Sequence, residues 1–238
     1  LLGILRAGAV ACPLSTRLPR DAVLAQLNEL AAHRLVAFLD QAKGGLKGIE
    51  TLSPEALLKQ PEAASPGGFQ MHLDDPAVIL FTSGSSGHPR PAVLSYGNLY
   101  YNARGANANM RLSSQDRWLL NLPLYHVSGL GVMMRCLLAG AAVIIPEGEE
   151  STQASMMRYQ PTHVSLVPTQ LATLLRDTKG HPFECIKAYL VGGAACAPTL
   201  AETARARGWP IYLTYGMTET GSQICTMPPD APPAKRVC

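Results

Sequence analysis

The chain has 238 residues, 47% hydrophobic and 16% charged, with a formal net charge of +3. This suits one globular unit of ordinary size or two closely packed subdomains with ample core. The charge is mild and the lysines and arginines are scattered, with no basic stripe interleaved with aromatics, which argues against a nucleic-acid partner. No apolar run reaches the ~20 residues needed to span a bilayer. The six cysteines show no CxxC spacing and mostly sit in apolar runs. They read as small buried hydrophobes in a cytoplasmic protein rather than as a disulfide framework.

"LLGILRAGAVACPL" opens the chain in the middle of an amphipathic helix, and "PPDAPPAKRVC" closes it in prolines, so both ends read as cut. "DAVLAQLNELAAH" (21–33) has apolar residues at helical spacing, and "RLVAFLD" follows as a short strand. Residues 41–75 form a loop-rich connection with one short helix near "PEALLK". From there the pattern is regular. Strands are predicted at 77–81, 117–122, 141–146, 162–168, 186–192 and 210–216. Helices are predicted at 95–110, 128–139, 151–160, 169–178 and 198–207. The alternation argues for α/β with a largely parallel sheet.

The unusual residues fall where strands end. "TSGSSG", "PLYHVSG", "VPTQ", "GGAA" and "YGMTETG" each begin at the C-terminal end of a predicted strand. That edge is where open α/β sheets bind ligands. Any one of these turns is ordinary turn chemistry; five on one edge point to a site.

Thr82, Ser83, Gly84, Ser85, Ser86 and Gly87 bring hydroxyls and bare backbone into a turn that can nest an anion. Ser95 is placed to cap the following helix, whose dipole would favour negative charge nearby. The loop fits a polyphosphate, yet it is not a Walker A loop, and Arg90 is the only fixed cation nearby. In "LPLYHVSGLGVMMRCLLAG", Ser128 and Arg135 are two helical turns apart, with Gly131 leaving a gap on the same face. Arg135 is flanked by Val132, Met133, Met134, Cys136, Leu137 and Leu138. A guanidinium there needs an anionic partner or a route to water. Either an internal Asp or Glu, snorkelling, or a ligand carboxylate would answer it. His126, in a turn beside Tyr125, is equally open to a structural reading. Glu219, between Thr218 and Thr220, could hold Mg²⁺ near a polyphosphate or serve as a helix-entry residue. "VGGAA" allows close approach to a flat base, and Tyr215 could stack on it.

Taken together, "FTSGSSGHPR", "LPLYHVSG", "VGGAA" and "YGMTE", in that order, resemble the core motifs of the adenylate-forming superfamily of acyl-CoA synthetases, peptide-synthetase adenylation domains and luciferases. Within it, "LPLYHVSGLGVMMRCLLAGAAVII" and "THVSLVPTQLATLLRD" are most similar to the o-succinylbenzoate–CoA ligases of menaquinone biosynthesis. The resemblance implies a large N-terminal α/β domain, mostly parallel sheets flanked by helices, truncated at both ends. Residues 1–75 would be a partial first subdomain with its connection, and 76–238 the nucleotide- and acid-binding subdomain. The small C-terminal domain would be absent. It implies ATP, Mg²⁺ and CoA as co-reactants and a small carboxylic acid, o-succinylbenzoate, as substrate; homo-oligomerisation is left open.

By motif position, Thr82 to Gly87 would wrap the phosphates, with Arg90 as the nearby cation. Gly192, Gly193, Ala194, Tyr215, Gly216 and Met217 would hold the adenosine. Thr218 would touch the α-phosphate and Glu219 would bind Mg²⁺. His126 would sit beside the reacting carboxylate, and Ser128, Gly131, Arg135 and Thr169 would line the acid pocket. The resemblance also implies a catalytic lysine for which none of Lys43, Lys47, Lys59, Lys179, Lys187 or Lys235 is a match, so the piece is expected to be catalytically incomplete. Pro91 departs from the usual phosphate loop by removing a donor. A fatty- or aryl-acid ligase, a serine amidase or hydrolase, and a non-catalytic nucleotide-binding module remain as alternatives.

Overall fold

The structure is a computed structural model that describes residues 1–38, 46, 48–59, 70–82, 89–148, 150–178 and 183–231. It divides into two compact units, one of residues 1–9 and 13–70 and another of residues 10–12 and 71–238.

In the first unit, α1 (Leu2–Arg6) and α2 (Arg20–Glu29) precede β1 (Arg34–Val36), β2 (Glu50–Leu52) and α3 (Pro54–Leu58). The helix predicted over 21–33 stops earlier, where Ala31 takes a positive φ of 48°. Strand β2 falls inside the stretch expected to be loop-rich; it pairs in parallel with β1, Leu35 opposite Thr51. Ser53 caps α3, its Oγ accepting from the Ala56 N–H at 3.0 Å, with Pro54 at the first helical position.

The second unit begins with a hairpin. Strands β3 (Pro76–Thr82) and β4 (Arg90–Ser95) pair antiparallel, Thr82 opposite Arg90 and Phe81 opposite Pro91. Ala11 adds a parallel bridge to Val78 on the other edge of β3. Then come α4 (Tyr96–Met110), β5 (Arg117–Leu119), α5 (Val127–Ala139), β6 (Ala142–Ile144), α6 (Thr152–Tyr159), β7 (His163–Leu166), α7 (Pro168–Asp177), β8 (Ala188–Val191), α8 (Pro198–Ala206), β9 (Ile211–Met217), a 3₁₀ turn at Thr218–Thr220, and β10 (Ser222–Met227). The main sheet has the order β10-β9-β8-β7-β5-β6. All its neighbours are parallel except the edge pair β9–β10.

Strand periodicity divides the core between the two faces of this sheet. Leu119, Val164, Leu166, Tyr189, Val191 and Ile211 pack with Met156, with Leu171, Leu174 and Leu175 of α7, and with Ala204. The alternate residues Trp118 and Leu190 pack with Ala106 and Met110 of α4 and Val132 and Cys136 of α5. Helices therefore cover both faces, as a parallel sheet requires. No helix among the described residues is long and apolar enough to cross a membrane.

The N-terminal ends of β5, β7 and β8 are tied together by a buried carboxylate. Asp116, 1% exposed, accepts from Lys187 Nζ at 2.7 Å and from Ser113 N and Oγ at 2.9 and 2.8 Å. Burial alone would raise the Asp116 carboxyl; these donors overturn that and bring it to about 2. Nearby, His163 is buried with Nδ1 2.8 Å from Thr162 Oγ1. Burial pushes its imidazole down to about 4, against the pull of Asp116.

Both shifts have the same consequence for acid stability. The unfolded state binds a proton on the histidine below 6.5 that the folded state refuses until about 4, so stability falls as pH drops through that window. The Asp116 contribution is lost below it, from 3.8 towards about 2. Urea denaturation of the protein across pH should lose on the order of 3 kcal/mol through the histidine window. His163→Phe should flatten that window and leave the carboxylate's part; an unchanged slope refutes the assignment.

Candidate active site

Strands β5, β7, β8 and β9 all run the same way, so the turns after them share one edge of the sheet. These turns hold "PLYHVSG", "VPTQ", "GGAA" and "YGMTETG", as expected. The hydroxyl loop differs. Strand β3 does not belong to the main sheet; its partner is β4, so the loop is a hairpin connection rather than a strand-to-helix turn. Helix α4 starts only after β4, six residues and roughly 20 Å of chain from the loop. Ser95 does cap it, accepting from Asn98 N at 3.2 Å while Asn98 Oδ1 accepts from Ser95 N at 2.9 Å. This cap therefore serves α4 itself, not an anion in the loop. Ser83, Gly84, Ser85, Ser86 and Gly87 lie outside the described residues. Thr82 and Arg90 flank them, with Thr82 Oγ1 donating to the Arg90 carbonyl at 3.3 Å. Strand β4 also packs against the 3₁₀ turn that carries Glu219.

Two neighbouring strand ends lie side by side. Gly192, Gly193 and Ala194 leave β8, while Tyr215, Gly216 and Met217 extend β9 past the last pair with β8, Val191 opposite Leu213. Gly193, Ala194, Tyr215, Gly216 and Met217 are exposed. A Cβ on Gly192 would sit 2.5 Å from Thr214 Cγ2, so only glycine lets the two strand ends lie this close.

In α5, His126 is the N-cap residue, exposed, its ring 4.8 Å from that of Tyr125. Ser128 is half-buried in the first turn. Arg135, two turns on, is 1% exposed. Its guanidinium folds back over Gly131, where a Cβ would meet Nη2 at 2.9 Å. Nη2 donates to Ser222 Oγ at 2.9 Å, and Cζ lies 5.4 Å from the centre of the Trp118 ring. Nε has no hydrogen-bond acceptor, and among the described residues no carboxylate lies within ion-pair distance of this side chain. Burial lowers its pKa to about 10, which leaves it charged at neutral pH. Of the three ways to satisfy this cation, the internal ion pair is absent among the described residues, and burial excludes snorkelling. Thr169, exposed in the first turn of α7, is near the same sheet edge.

The 3₁₀ turn exposes Glu219 with Thr218 half-buried. Thr220 Oγ1 donates to Met217 O at 2.9 Å, closing the turn. No group of three or more His, Cys, Asp or Glu side chains among the described residues could hold a metal. A Mg²⁺ ion at Glu219 would thus take one protein carboxylate and draw its other oxygens from phosphate and water, which is how Mg²⁺ commonly binds beside nucleotides.

Sequence reasoning missed Ser222, Trp118 and Asn102. Ser222 joins the two halves of the site: its Oγ receives Arg135, its carbonyl receives Thr220 Oγ1 at 3.3 Å, and its φ is 130°. A Cβ on Gly216 would fall 1.9 Å from that carbonyl, so glycine is required opposite it.

The model of the AMP-binding enzyme family matches residues 1–237. The 2-succinylbenzoate–CoA ligase of Bacillus subtilis (strain 168) is 33% identical over 226 residues, 94% of this chain and 46% of that protein. That of Bacillus mycoides (strain KBAB4) is 31% identical over the same shares. Among solved structures, o-succinylbenzoate coenzyme A synthetase (MenE) from Bacillus subtilis in complex with AMP superposes with a TM-score of 0.87 at 32% identity, over 95% of this chain and 48% of that one. The same enzyme in complex with ATP and magnesium ion gives 0.84 at 31%, over 96% and 49%. The chain spans about half the length of the curated relatives it matches.

Arg135 allows a test that needs no ligand. A buried cation without an anion costs stability, so Arg135→Met, of similar reach and apolar, should raise the unfolding free energy by about 1–3 kcal/mol in chemical denaturation. Destabilisation instead would mean that the guanidinium is already satisfied within the fold.

Proposed function

The chain belongs to the AMP-binding enzyme family, and from that premise we propose that it is the nucleotide- and acid-binding part of an ATP-dependent acid–CoA ligase whose acid is o-succinylbenzoate, a step of menaquinone biosynthesis in the cytoplasm. The observation that carries the choice of acid is Arg135: a fully buried guanidinium with no carboxylate partner among the described residues. A substrate bearing a second carboxylate would supply the missing anion, with Ser128, Gly131 and Thr169 lining the pocket around it. A fatty or simple aryl acid has no second negative group to meet this cation. Among the described residues, the free thiols of Cys12, Cys136, Cys185 and Cys196 support a reducing compartment.

The reaction has two steps. An oxygen of the acid's first carboxylate attacks the α-phosphorus of ATP, the bond to pyrophosphate breaks, and an acyl-adenylate forms. The sulfur of CoA then attacks the acyl carbonyl, AMP leaves, and a thioester results. The protein's part is to position and to stabilise charge. His126, at the mouth of α5, would orient the reacting carboxylate. Gly192, Gly193 and Ala194 with Tyr215, Gly216 and Met217 would hold the adenosine at the adjoining ends of β8 and β9. Thr218 would donate to the α-phosphate, and Arg90 with Thr82 and the loop from Ser83 to Gly87 would hold the outer phosphates. Glu219 would hold Mg²⁺, which when bound would offset the triphosphate's charge and stabilise the departing pyrophosphate.

Pyrophosphate release with o-succinylbenzoate and with benzoate, measured in the full-length ligase and in its Arg135→Ala variant, tests this. The variant should raise KM for o-succinylbenzoate on the order of 100-fold, the worth of a buried charge-assisted hydrogen-bond pair, and leave any benzoate turnover within about threefold. An unchanged KM for o-succinylbenzoate would sink the assignment of the acid.

A further inference from the structure

Helix α4 takes no part in the proposed chemistry, yet it touches the turn that does. Asn102 projects one amide group onto two carbonyls: Nδ2 donates to Thr220 O at 3.2 Å and to Gln223 O at 2.9 Å. The two acceptors lie on either side of Gly221 and Ser222, the positions where the chain turns from the 3₁₀ turn into β10. Both have positive φ, 73° and 130°, so this corner is held in backbone that L side chains rarely adopt. Strand pairing does not secure it alone, because the ladder with β9 shifts register between Gln223 and Cys225. The same helix crosses closely: a Cβ on Gly221 would lie 3.2 Å from the Asn98 carbonyl. Helix α4 is in turn fixed by its capping box and by burial of Leu99, Ala103, Ala106 and Met110.

We infer that Asn102 is a positioning residue for the 3₁₀ turn and thereby sets the gain in ATP affinity that Mg²⁺ confers through Glu219. This rests on the proposed reading of Glu219. The physical basis is that one side-chain amide uses both its hydrogens to pin the exit of the turn to a rigid helix. Without it two carbonyls lose their donor, and the turn can relax away from its positive-φ geometry.

Helix α4 supplies its own control. Asn109, seven residues on, donates to the Thr226 carbonyl at 3.1 Å, the same kind of bond at the far end of β10. The experiment is calorimetric titration of ATP with and without Mg²⁺, together with ligand-free thermal denaturation, on the protein and on Asn102→Ala, Asn102→Gln, Asn109→Ala and Glu219→Gln. Asn102→Ala should reduce the Mg²⁺-dependent gain in affinity about tenfold and change Mg²⁺-free ATP affinity by less than about threefold. Asn102→Gln, which keeps the amide, should restore part of the gain. Asn109→Ala should lower the unfolding temperature about as much as Asn102→Ala while leaving the gain within about twofold. Equal effects of Asn102→Ala and Asn109→Ala on the gain overturn the inference. A Mg²⁺ gain that survives Glu219→Gln overturns the reading of the turn beneath it, and no Mg²⁺-dependent binding by the unmodified protein overturns both.

Discussion

A guanidinium that stays charged with no carboxylate to meet it among the described residues is the constraint around which this part of the fold is arranged. Taking a cation out of water costs several kcal/mol unless its surroundings replace the lost hydration. Around Arg135 the replacement is partial. One hydroxyl, from Ser222, accepts a hydrogen bond, and the face of Trp118 offers a weaker electrostatic partner. Gly131 gives up its side chain so that the guanidinium can lie over the helix backbone. Three separate elements, β5, α5 and β10, are thus arranged around one charge, and Nε is still left without an acceptor.

The corner between β9 and β10 carries the other demand. It must turn the chain, expose Glu219, and present the Ser222 hydroxyl inward to Arg135. Glycine at 216 lets the Ser222 carbonyl approach, and Gly221 takes the positive φ that starts the return. Asn102 then holds the exit from outside. The result places the Arg135 guanidinium and the Glu219 carboxylate, the groups proposed to meet the acid and the metal, on either side of one residue, with Ser222 bonded towards both through Arg135 and Thr220. Two neighbours in one hydrogen-bonded chain are expected to couple energetically rather than add.

How much of this was legible in the sequence follows from how local each signal is. Strands β5 to β9 and helices α4 to α8 show their own periodicity, and their turns fall where the sequence places them. The strand predicted at 117–122 shortens to Leu119 because Asn121 leaves the ladder and donates its amide to the Ser165 carbonyl. Strand β4 was hidden by Pro91, which argues against a strand wherever it is not at an edge. Its absence from the reading misplaced the helix dipole relative to the hydroxyl loop. Strand β10 was hidden by Gln223 and Thr226, polar residues that find partners only in the folded chain. Arg135 and Gly131 could be paired by helical spacing. Ser222 and Asn102 could not, since their partners lie 87 and 118 residues away.

The sheet gives opposite answers to buried charge around one tryptophan. At the N-terminal ends of the strands, Asp116 is closed by Lys187 and Ser113 with every contact made inside the protein. That arrangement stabilises the fold. Trp118 packs against His163 beside it, the rings tilted by 32° with centres 5.1 Å apart, and donates to Ser165 Oγ, so the indole is held in place. The same indole then meets Arg135, which has no anionic partner among the described residues. A fold selected for stability alone would complete the second charge as it completes the first, or replace it with a hydrocarbon side chain. Leaving it open would lower stability in the free protein and, on the proposed reading, would create a site whose binding energy comes from an anion carried in by a ligand. His163 and the bond to Ser165 hold the indole in place, which would keep the open charge aimed before such a ligand arrives.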